Sequence, residues 1–292
     1  MRKKISVGQI VLNLFFILIC LTYILPFIML ISISFSGESA IREFGYTLLP
    51  KKVSFSAYQM IFKTPEKILE AYKVTITFSV VNTIGFLILS SMAAYPFSRS
   101  SYKFRKVVTW YMFVTTLFSG GLVPTYILMT KHLHLANTML VYMIPGLINV
   151  WNVFVMRSFF QNLPEGLVEA AKIDGASEFR IWLQIMLPLS KPMLASLGFM
   201  HLLGKWNDWN TSLLYISDTK LYSLQYLLQK ILKEEEYINS MIEAGLEFMA
   251  DEKPVESMRY AMAVVAAGPM IIIFPFFQKY FTQGLTVGSI KG

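Results

Sequence analysis

The chain has 292 residues, of which 55% are hydrophobic and 15% are charged, and its mean hydropathy is +0.52. This composition excludes an ordinary soluble protein, because several apolar runs approach the ~20 residues that a bilayer requires. The formal charge of +8 would indicate nucleic-acid binding in a soluble protein, but in a membrane protein basic residues hold cytoplasmic loops in place. The composition therefore predicts an all-α membrane protein without a nucleic-acid partner.

Hydropathy predicts about six membrane-spanning helices, an even number that puts both termini on one side. Their approximate bounds are Ile10–Ile33, Tyr72–Tyr95, Val107–Met129, Met139–Met156, Met193–Tyr215 and Tyr260–Phe277. The first run is longer than the apolar part of a signal peptide and lacks a clear cleavage site, so we expect an uncleaved span. It contains Cys20, the single cysteine of the chain, so an intrachain disulfide is excluded.

The distribution of charge predicts the orientation. Basic residues precede the first span and crowd the short loop from Arg99 to Lys106, whereas the loop from Ile216 to Met258 is predominantly acidic. Cytoplasmic loops carry an excess of lysine and arginine, so both termini are predicted to be cytoplasmic. The predicted domains are an N-terminal helix with the first outer loop (1–71), a core (72–280) and a cytoplasmic tail (281–292). The core includes a cytoplasmic loop (159–192) and an outer loop (216–258).

A second pattern lies between two apolar runs, from Leu163 to Pro192. Pro164 suits the first position of a helix that ends near Ile173, where Gly175 can take the left-handed cap conformation. Ser177 can cap a second helix, with an apolar face formed by residues at helical spacing: Phe179, Trp182, Leu183 and Met186. The pattern predicts two short helices joined at a glycine. In the third span, Gly120, Gly121 and Pro124 indicate either a bend or a close helix crossing.

The order Glu169-Ala170-Ala171, Gly175, Ile185 and Leu187-Pro188 resembles the EAA loop of the membrane subunits of bacterial ABC importers. Asp174-Gly175-Ala176 and the PLSKP segment at 188–192 resemble the carbohydrate-uptake branch that takes oligosaccharides, including the smaller maltose-type permease and permeases for polysaccharide fragments. The resemblance covers most of the chain from about Leu48 onward. It implies the type I importer permease fold. It also implies that Glu169, Ala170, Ala171, Asp174 and Gly175 couple the chain to an ATPase.

The same resemblance implies the partners: a second, similar permease, two ATPase subunits, an extracytoplasmic sugar-binding protein and an oligosaccharide, in a bacterial cell membrane. The chain has no G-x-x-x-x-G-K-[ST] sequence, so ATP and Mg are expected on the ATPase subunits and this chain is expected not to be an enzyme. No cofactor or metal is expected on the chain, because His132, His134 and His201 lack partners at ligand spacing. Three alternatives stay open: a secondary transporter, an importer permease for a substrate other than sugar, and a membrane scaffold that does not transport.

Polar side chains recur at helical spacing inside the predicted spans. The rows are His201, Lys205, Asp208 and Ser212 in the fifth span, Thr75, Ser79 and Asn82 in the second, and Asn149 and Asn152 in the fourth. Ionisable groups within a bilayer usually face a cavity, a partner or one another, so these rows are candidates for a substrate path. Trp206, Trp209 and Asn210 add the rings and amides that a sugar requires. The alternatives are packing against the second permease and, for the tryptophans, an interfacial belt.

The outer loop from Ile216 to Met258 holds half of the chain's acidic residues and contains an amphipathic stretch, Leu221–Leu232. A few residues would suffice to join two spans, so a loop of this length is expected to have a function of its own. The family resemblance implies contact with the sugar-binding protein. The alternative is a solvated surface without a partner.

Overall fold

A computed structural model of the protein describes residues 7–243 and 254–284. These residues form two compact units, one of 7–68 with 227–243 and 254–269, the other of 69–226 with 270–284. The boundaries predicted at 71 and 280 follow membrane topology and stay predictions. The basic residues before the first span lie outside the described residues, as do 244–253 of the outer loop and most of the predicted tail.

The regular structure of the described residues is helical, apart from one bridge between Ser36 and Val53. The first helices are α1 (Val7–Ser34), α2 (Glu38–Phe44), α3 (Ser56–Ile61), α4 (Pro65–Ser98), α5 (Arg105–Leu117), α6 (Leu122–Ile127), α7 (Leu140–Met143) and α8 (Val150–Gln161). They are followed by α9 (Glu165–Ile173), α10 (Glu178–Ile181), α11 (Leu187–Leu189), α12 (Lys191–Trp206), α13 (Asn210–Tyr215), α14 (Leu224–Glu243) and α15 (Val255–Gly284). Leu128–His132 and Trp182–Met186 are π-helical turns.

Three of the described helices, α1, α4 and α15, are each long and apolar enough to cross a membrane. Helix α5 and the segment Leu122–His132 meet at 109° and would make a fourth span if counted together. Gly120 and Gly121 therefore mark a bend. The predicted spans at 139–156 and 193–215 are each divided into two helices, α7 with α8 and α12 with α13. The number of spans and the side of the termini stay predictions.

The amphipathic stretch in the outer loop is helical, as predicted. Helix α14 begins at Leu224 because a 3₁₀ turn occupies Thr219–Leu221 just before it. Asp218 caps that turn by accepting a hydrogen bond from the Lys220 amide at 3.0 Å. The position of this helix on the outer surface stays a prediction.

In the first unit, a carboxylate of α2 caps the start of α15. Glu38 is buried, and its two carboxylate oxygens accept hydrogen bonds from the backbone N–H groups of Glu256 and Ser257, both at 3.3 Å. The first N–H groups of a helix have no partner within the helix, and the helix dipole favours a negative charge there. Glu38 thereby fixes the segment between α1 and α4 to a helix more than 200 residues further along the chain.

We expect Glu38→Ala to lower the thermal stability of the purified chain in detergent, because two N–H groups lose their acceptor at a cost of about 1–3 kcal/mol. The matched control is Glu43→Ala on the same helix, where the carboxylate lies 3.8 Å from Lys52 and both side chains are exposed. Such a surface pair contributes little. Equal melting temperatures for the two variants would contradict the capping role.

The second unit has a core that joins α4, α8 and the loop between α8 and α12. Its buried members are Phe86, Ala94, Tyr95, Phe97, Val153, Met156, Phe160, Val168, Ile181, Trp182, Met186 and Met193. Val168 lies on α9, and Ile181 ends α10. Both short helices of the loop at 159–192 therefore contribute side chains to the core of the unit, and the loop is a packed part of it.

Candidate coupling loop and translocation cavity

Helix α9 has one packed side and one open side. Val168 is buried and Ala171 packs against the core cluster, whereas Ile173 is 87% exposed. Glu169 and Ala170 are exposed as well. The helix predicted from the sequence is confirmed, and it presents a face that the described residues leave uncovered.

The turn after α9 also forms as predicted. Gly175 has a φ of +74°, its N–H donates to the carbonyl of Lys172 at 3.0 Å, and the N–H of Ala176 donates to the carbonyl of Ala171 at 2.9 Å. This pair of bonds is the Schellman arrangement, which satisfies carbonyl groups at the end of a helix. A Cβ added at Gly175 would meet no atom within 4 Å. The requirement for glycine within this chain is therefore conformational.

The second helix differs from the prediction in its buried face. Ser177 caps it as expected, accepting a hydrogen bond from the Arg180 amide at 3.3 Å. Trp182 and Met186 are buried, but Phe179 is 59% and Leu183 46% exposed. The predicted apolar face assumed regular α-helical spacing, and the π-helical turn Trp182–Met186 adds residues to one turn and rotates the face.

Sequence reasoning missed Glu178. Its carboxylate accepts a hydrogen bond from Lys172 Nζ at 2.7 Å and another from the Tyr95 hydroxyl at 2.5 Å. The Lys172 hydrogen bond, followed by that of Tyr95, lowers the pKa of Glu178. Opposite charges on the two sides of Asp174-Gly175 were a visible signal in the sequence, but the contact with α4 spans 83 residues. A cavity of about 420 Å³, lined partly by Glu178 and Tyr95, lies beside this cluster.

The fourth predicted span breaks at Pro145 and Gly146, and side chains from other helices bind the carbonyl groups left open. Proline has no N–H to continue the helix, and Gly146 has a φ of +86°. Asn82 is fully buried on α4, and the two hydrogens of its amide Nδ2 are shared among the carbonyl oxygens of Tyr142 (3.2 Å), Met143 (2.6 Å) and Pro145 (3.1 Å). We call these contacts the Asn82 cluster.

Two residues of α12 complete the Asn82 cluster. His201 Nε2 lies 2.6 Å from Asn82 Oδ1 and donates the hydrogen bond, because a carbonyl-type oxygen has no hydrogen. Lys205 Nζ donates to the carbonyl of Pro145 at 3.0 Å. A Cβ at Gly146 would lie 3.4 Å from this ammonium, so glycine there permits both the turn and the approach of Lys205. The cluster links α4, α12 and the break between α7 and α8.

The row on α4 is enclosed within the second unit. Thr75, Ser79 and Asn82 are at most 1% exposed. Thr75 Oγ1 accepts a hydrogen bond from the Leu224 amide at 2.8 Å, and the Ser79 hydroxyl has no hydrogen-bond partner among the described residues. In this structure these side chains do not line an open path. Helical spacing alone could not distinguish a row facing a cavity from one facing the packed interior.

The row on the fifth predicted span is not on one helix, because α12 ends at Trp206. Asp208 lies in the break and caps α13, accepting hydrogen bonds from the Thr211 amide (3.0 Å) and hydroxyl (2.7 Å). His201, Lys205 and Asp208 nevertheless line one cavity of about 320 Å³, together with Asn152, Leu197, Met200 and Gly204. We call it the α12 cavity. Ser212 is outside it, buried and hydrogen-bonded to Tyr142 at 2.6 Å.

Of the remaining candidate residues for the substrate path, two have structural contacts and two are exposed. Trp206 is only 3% exposed, and its ring centroid lies 6.2 Å from that of Tyr72, so it belongs to the packed interior rather than to a sugar surface. Asn149 caps α8 by accepting a hydrogen bond from the Asn152 amide at 3.1 Å. Trp209 and Asn210 are exposed and remain available to a ligand.

Apolar helices, a polar cavity at breaks between helices and an open helix face are features that a membrane transport subunit requires. Residues 71–287 match the family model described as the binding-protein-dependent transport system inner membrane component. The chain belongs to this family and is a multi-pass membrane component of such a transport system. Family membership excludes the alternative of a stand-alone secondary transporter.

Relatives from Bacillus subtilis support the assignment. The chain is 36% identical to the protein LplC over 270 residues, covering 92% of this chain and 90% of LplC. It is 34% identical to the polygalacturonan/rhamnogalacturonan transport system permease protein YtcP over 281 residues, covering 96% and 95% of the two chains. Among solved structures, a chain of a bacterial ABC transporter involved in the import of the acidic polysaccharide alginate matches with a TM-score of 0.79 and 25% identity, covering 96% of this chain and 99% of that one.

We expect Asn82→Ala to destabilise the chain by about 1–3 kcal/mol or more, because the Met143 carbonyl loses its side-chain donor and His201 loses its acceptor. The measurement is the melting temperature in detergent. The control is Asn162→Ala, which removes a bond from an amide Nδ2 to the Ser158 carbonyl at 3.0 Å, at an exposed helix end. If Asn162→Ala lowered the melting temperature as much as Asn82→Ala, the loss of stability would not be due to burial of the Asn82 contacts.

Proposed function

We propose that this chain forms half of the translocation path for an oligosaccharide in an ATP-driven importer. The observation that carries the proposal is the combination, in one compact unit, of the open face of α9 and the α12 cavity. A transport subunit needs both, because its energy source and its substrate bind at different places. The names of the relatives, which include polygalacturonan, rhamnogalacturonan and alginate transport, support a saccharide as the substrate.

The lining of the α12 cavity fits a sugar. Asn152, Lys205 and Asp208 can form hydrogen bonds with hydroxyl groups, while Leu197 and Met200 provide apolar surface for the C–H faces of a sugar ring. At about 320 Å³ the cavity is at the small end of the range for ligand sites. A second permease subunit would supply the remaining wall.

For coupling, we propose that the open face of α9 docks on an ATPase subunit, which binds ATP and Mg. Glu169 and Ala170 lie on exposed positions of this helix, Ala171 anchors it to the core, and Asp174 and Gly175 form its end. When the ATPase subunits close around ATP, α9 moves with them and the cavity opens outward. This assignment needs no nucleotide site on the permease chain.

Two further partners are proposed from exposed surfaces. Helix α5 has no buried residue, and Trp110 and Tyr111 on it are 66% and 72% exposed, which fits a surface covered by lipid or by the second permease. The outer loop from Ile216 to Met258 would contact the extracytoplasmic sugar-binding protein. Its described helix, α14, is consistent with a loop that has a structure of its own.

We expect Gly175→Ala to uncouple the importer, because an L-residue at positive φ costs about 1–2 kcal/mol and reorients the end of α9. The control is Gly166→Ala within α9, where a Cβ also meets no atom within 4 Å but φ is not positive. ATPase co-purification and sugar uptake by reconstituted vesicles are the measurements. Equal uptake by the two variants would contradict the conformational requirement.

We expect cysteines that line the α12 cavity to react with a small water-soluble thiol reagent at rates that change with nucleotide state. The variants are Asn152→Cys, Lys205→Cys and Asp208→Cys in a Cys20→Ser background, and Asn152→Cys leaves the capping side chains of the cavity intact. Ser212→Cys is the control and should stay inert, because Ser212 is fully buried. Inertness at 152, 205 and 208 in every state would contradict a water-accessible path.

A further inference from the structure

Glu178 occupies the junction between the coupling loop and a spanning helix. It is the first residue of α10, and its two carboxylate oxygens bind in different directions: Oε1 binds Lys172 at the end of α9, and Oε2 binds the Tyr95 hydroxyl of α4. One carboxylate thus connects three helices. Lys172 belongs to α9 and Tyr95 to α4, and a coupling movement would have to pass from the first helix to the second.

The Tyr95 side of this junction is fixed. The residue is only 6% exposed, belongs to the core cluster, and has the Arg99 guanidinium 5.1 Å from the centre of its ring. A ring packed in this way cannot follow Glu178 unless α4 moves too. By contrast, the side chains of Lys172 and Glu178 are 42% and 59% exposed, so their ion pair is a surface pair that contributes little to stability.

We infer that Glu178 is a positioning residue that transmits displacement of α9 to α4. The inference rests on the proposed docking of α9 on an ATPase. Because Glu178 binds α9 and α4 at once, a shift of α9 acts on the Tyr95 hydroxyl through a short, charge-assisted hydrogen bond, and such bonds are roughly twice as strong as neutral ones. Without the carboxylate, α9 stays attached through its backbone, Val168 and Ala171, but it loses the polar link to α4 that Glu178 supplies.

The charge state of Glu178 is suited to this role. Its pKa is lowered by the hydrogen bond from Lys172 and then by that from Tyr95, so the carboxylate is ionised at neutral pH. Because the pKa of Glu178 is lowered, its charged interaction is fully present at every pH above the ordinary pKa range of glutamate. The interaction is lost only as the pH falls through the lowered pKa. The junction therefore stays intact throughout the range in which the cytoplasm operates.

The experiment measures sugar uptake and ATP hydrolysis by the complete importer in vesicles, and compares their ratio among variants. Tyr95→Phe removes one bond to Glu178 and keeps the ring, while Lys172→Met removes the other. Each should lower uptake per ATP by roughly two- to thirtyfold, the range that single coupling contacts produce. Arg180→Met is the control, because it removes an exposed bond on α10, to Gln184 at 2.9 Å, without touching α4.

The double variant separates positioning from a merely structural role. If both bonds act through one carboxylate, Tyr95→Phe with Lys172→Met should be no worse than the poorer single variant, whereas two independent structural losses should add. Glu178→Asp, which keeps the charge, should retain more coupling than Glu178→Gln. If the Glu178 variants fail to assemble, Tyr95→Phe decides, because its core packing is unchanged.

An unchanged uptake-to-hydrolysis ratio in Tyr95→Phe and Lys172→Met, or additive losses in the double variant, would overturn the role of Glu178 and leave the proposed function standing. The proposed function is tested separately with Glu169→Lys, which reverses a charge on the open face of α9. Normal ATPase co-purification and uptake in that variant would remove the docking assignment itself. The two failures are therefore distinguishable.

Discussion

The requirement that buried backbone groups be paired governs the second unit of this protein. In a bilayer no water replaces a lost helix partner, so an interrupted helix must obtain donors from side chains. Pro145 and Gly146 interrupt the fourth predicted span, and the Asn82 amide with the Lys205 ammonium supplies the donors. The same two side chains determine where α4 and α12 lie against the break. A hydropathy scale scores Asn82 and Lys205 as unfavourable within a span, yet these two residues permit the helix to end at this break.

The α12 cavity follows from this requirement. Lys205 binds the Pro145 carbonyl one residue before α12 ends at Trp206, and Asp208 accepts hydrogen bonds at the start of α13. The charged groups that line the cavity are held by backbone contacts, so their positions are fixed before any ligand arrives. Fixed polar groups cost less to organise around a substrate than mobile ones. Lys205 and Asp208, which pair backbone groups at the helix breaks, are therefore also polar groups of the proposed substrate path.

Local signals were sufficient to predict the coupling loop, and they were insufficient for the spans. The bounds of α9, the turn at Gly175 and the cap at Ser177 depend on neighbouring residues, so the sequence specifies them directly. Hydropathy averages over about twenty residues and overlooked the breaks within the fourth and fifth spans. Asn82 was selected as a possible substrate contact, but its partners lie about 60 residues away, which spacing on one helix cannot reveal. Leu183, which was expected on the buried face, lies in a π-helical turn that no simple sequence rule marks, and it is exposed.

Helix α4 is the element that can relate the two sites. Tyr95 and Asn82 are 13 residues apart on it, which corresponds to about 20 Å at the rise of an α-helix, with no proline between them. Near its C-terminal end, α4 contacts the loop at 159–192 through Glu178, and in its middle Asn82 holds the break beside the α12 cavity. An uninterrupted helix between two fixed contacts moves as one body more readily than it bends. The proposed movement therefore passes through α4, which carries both contacts.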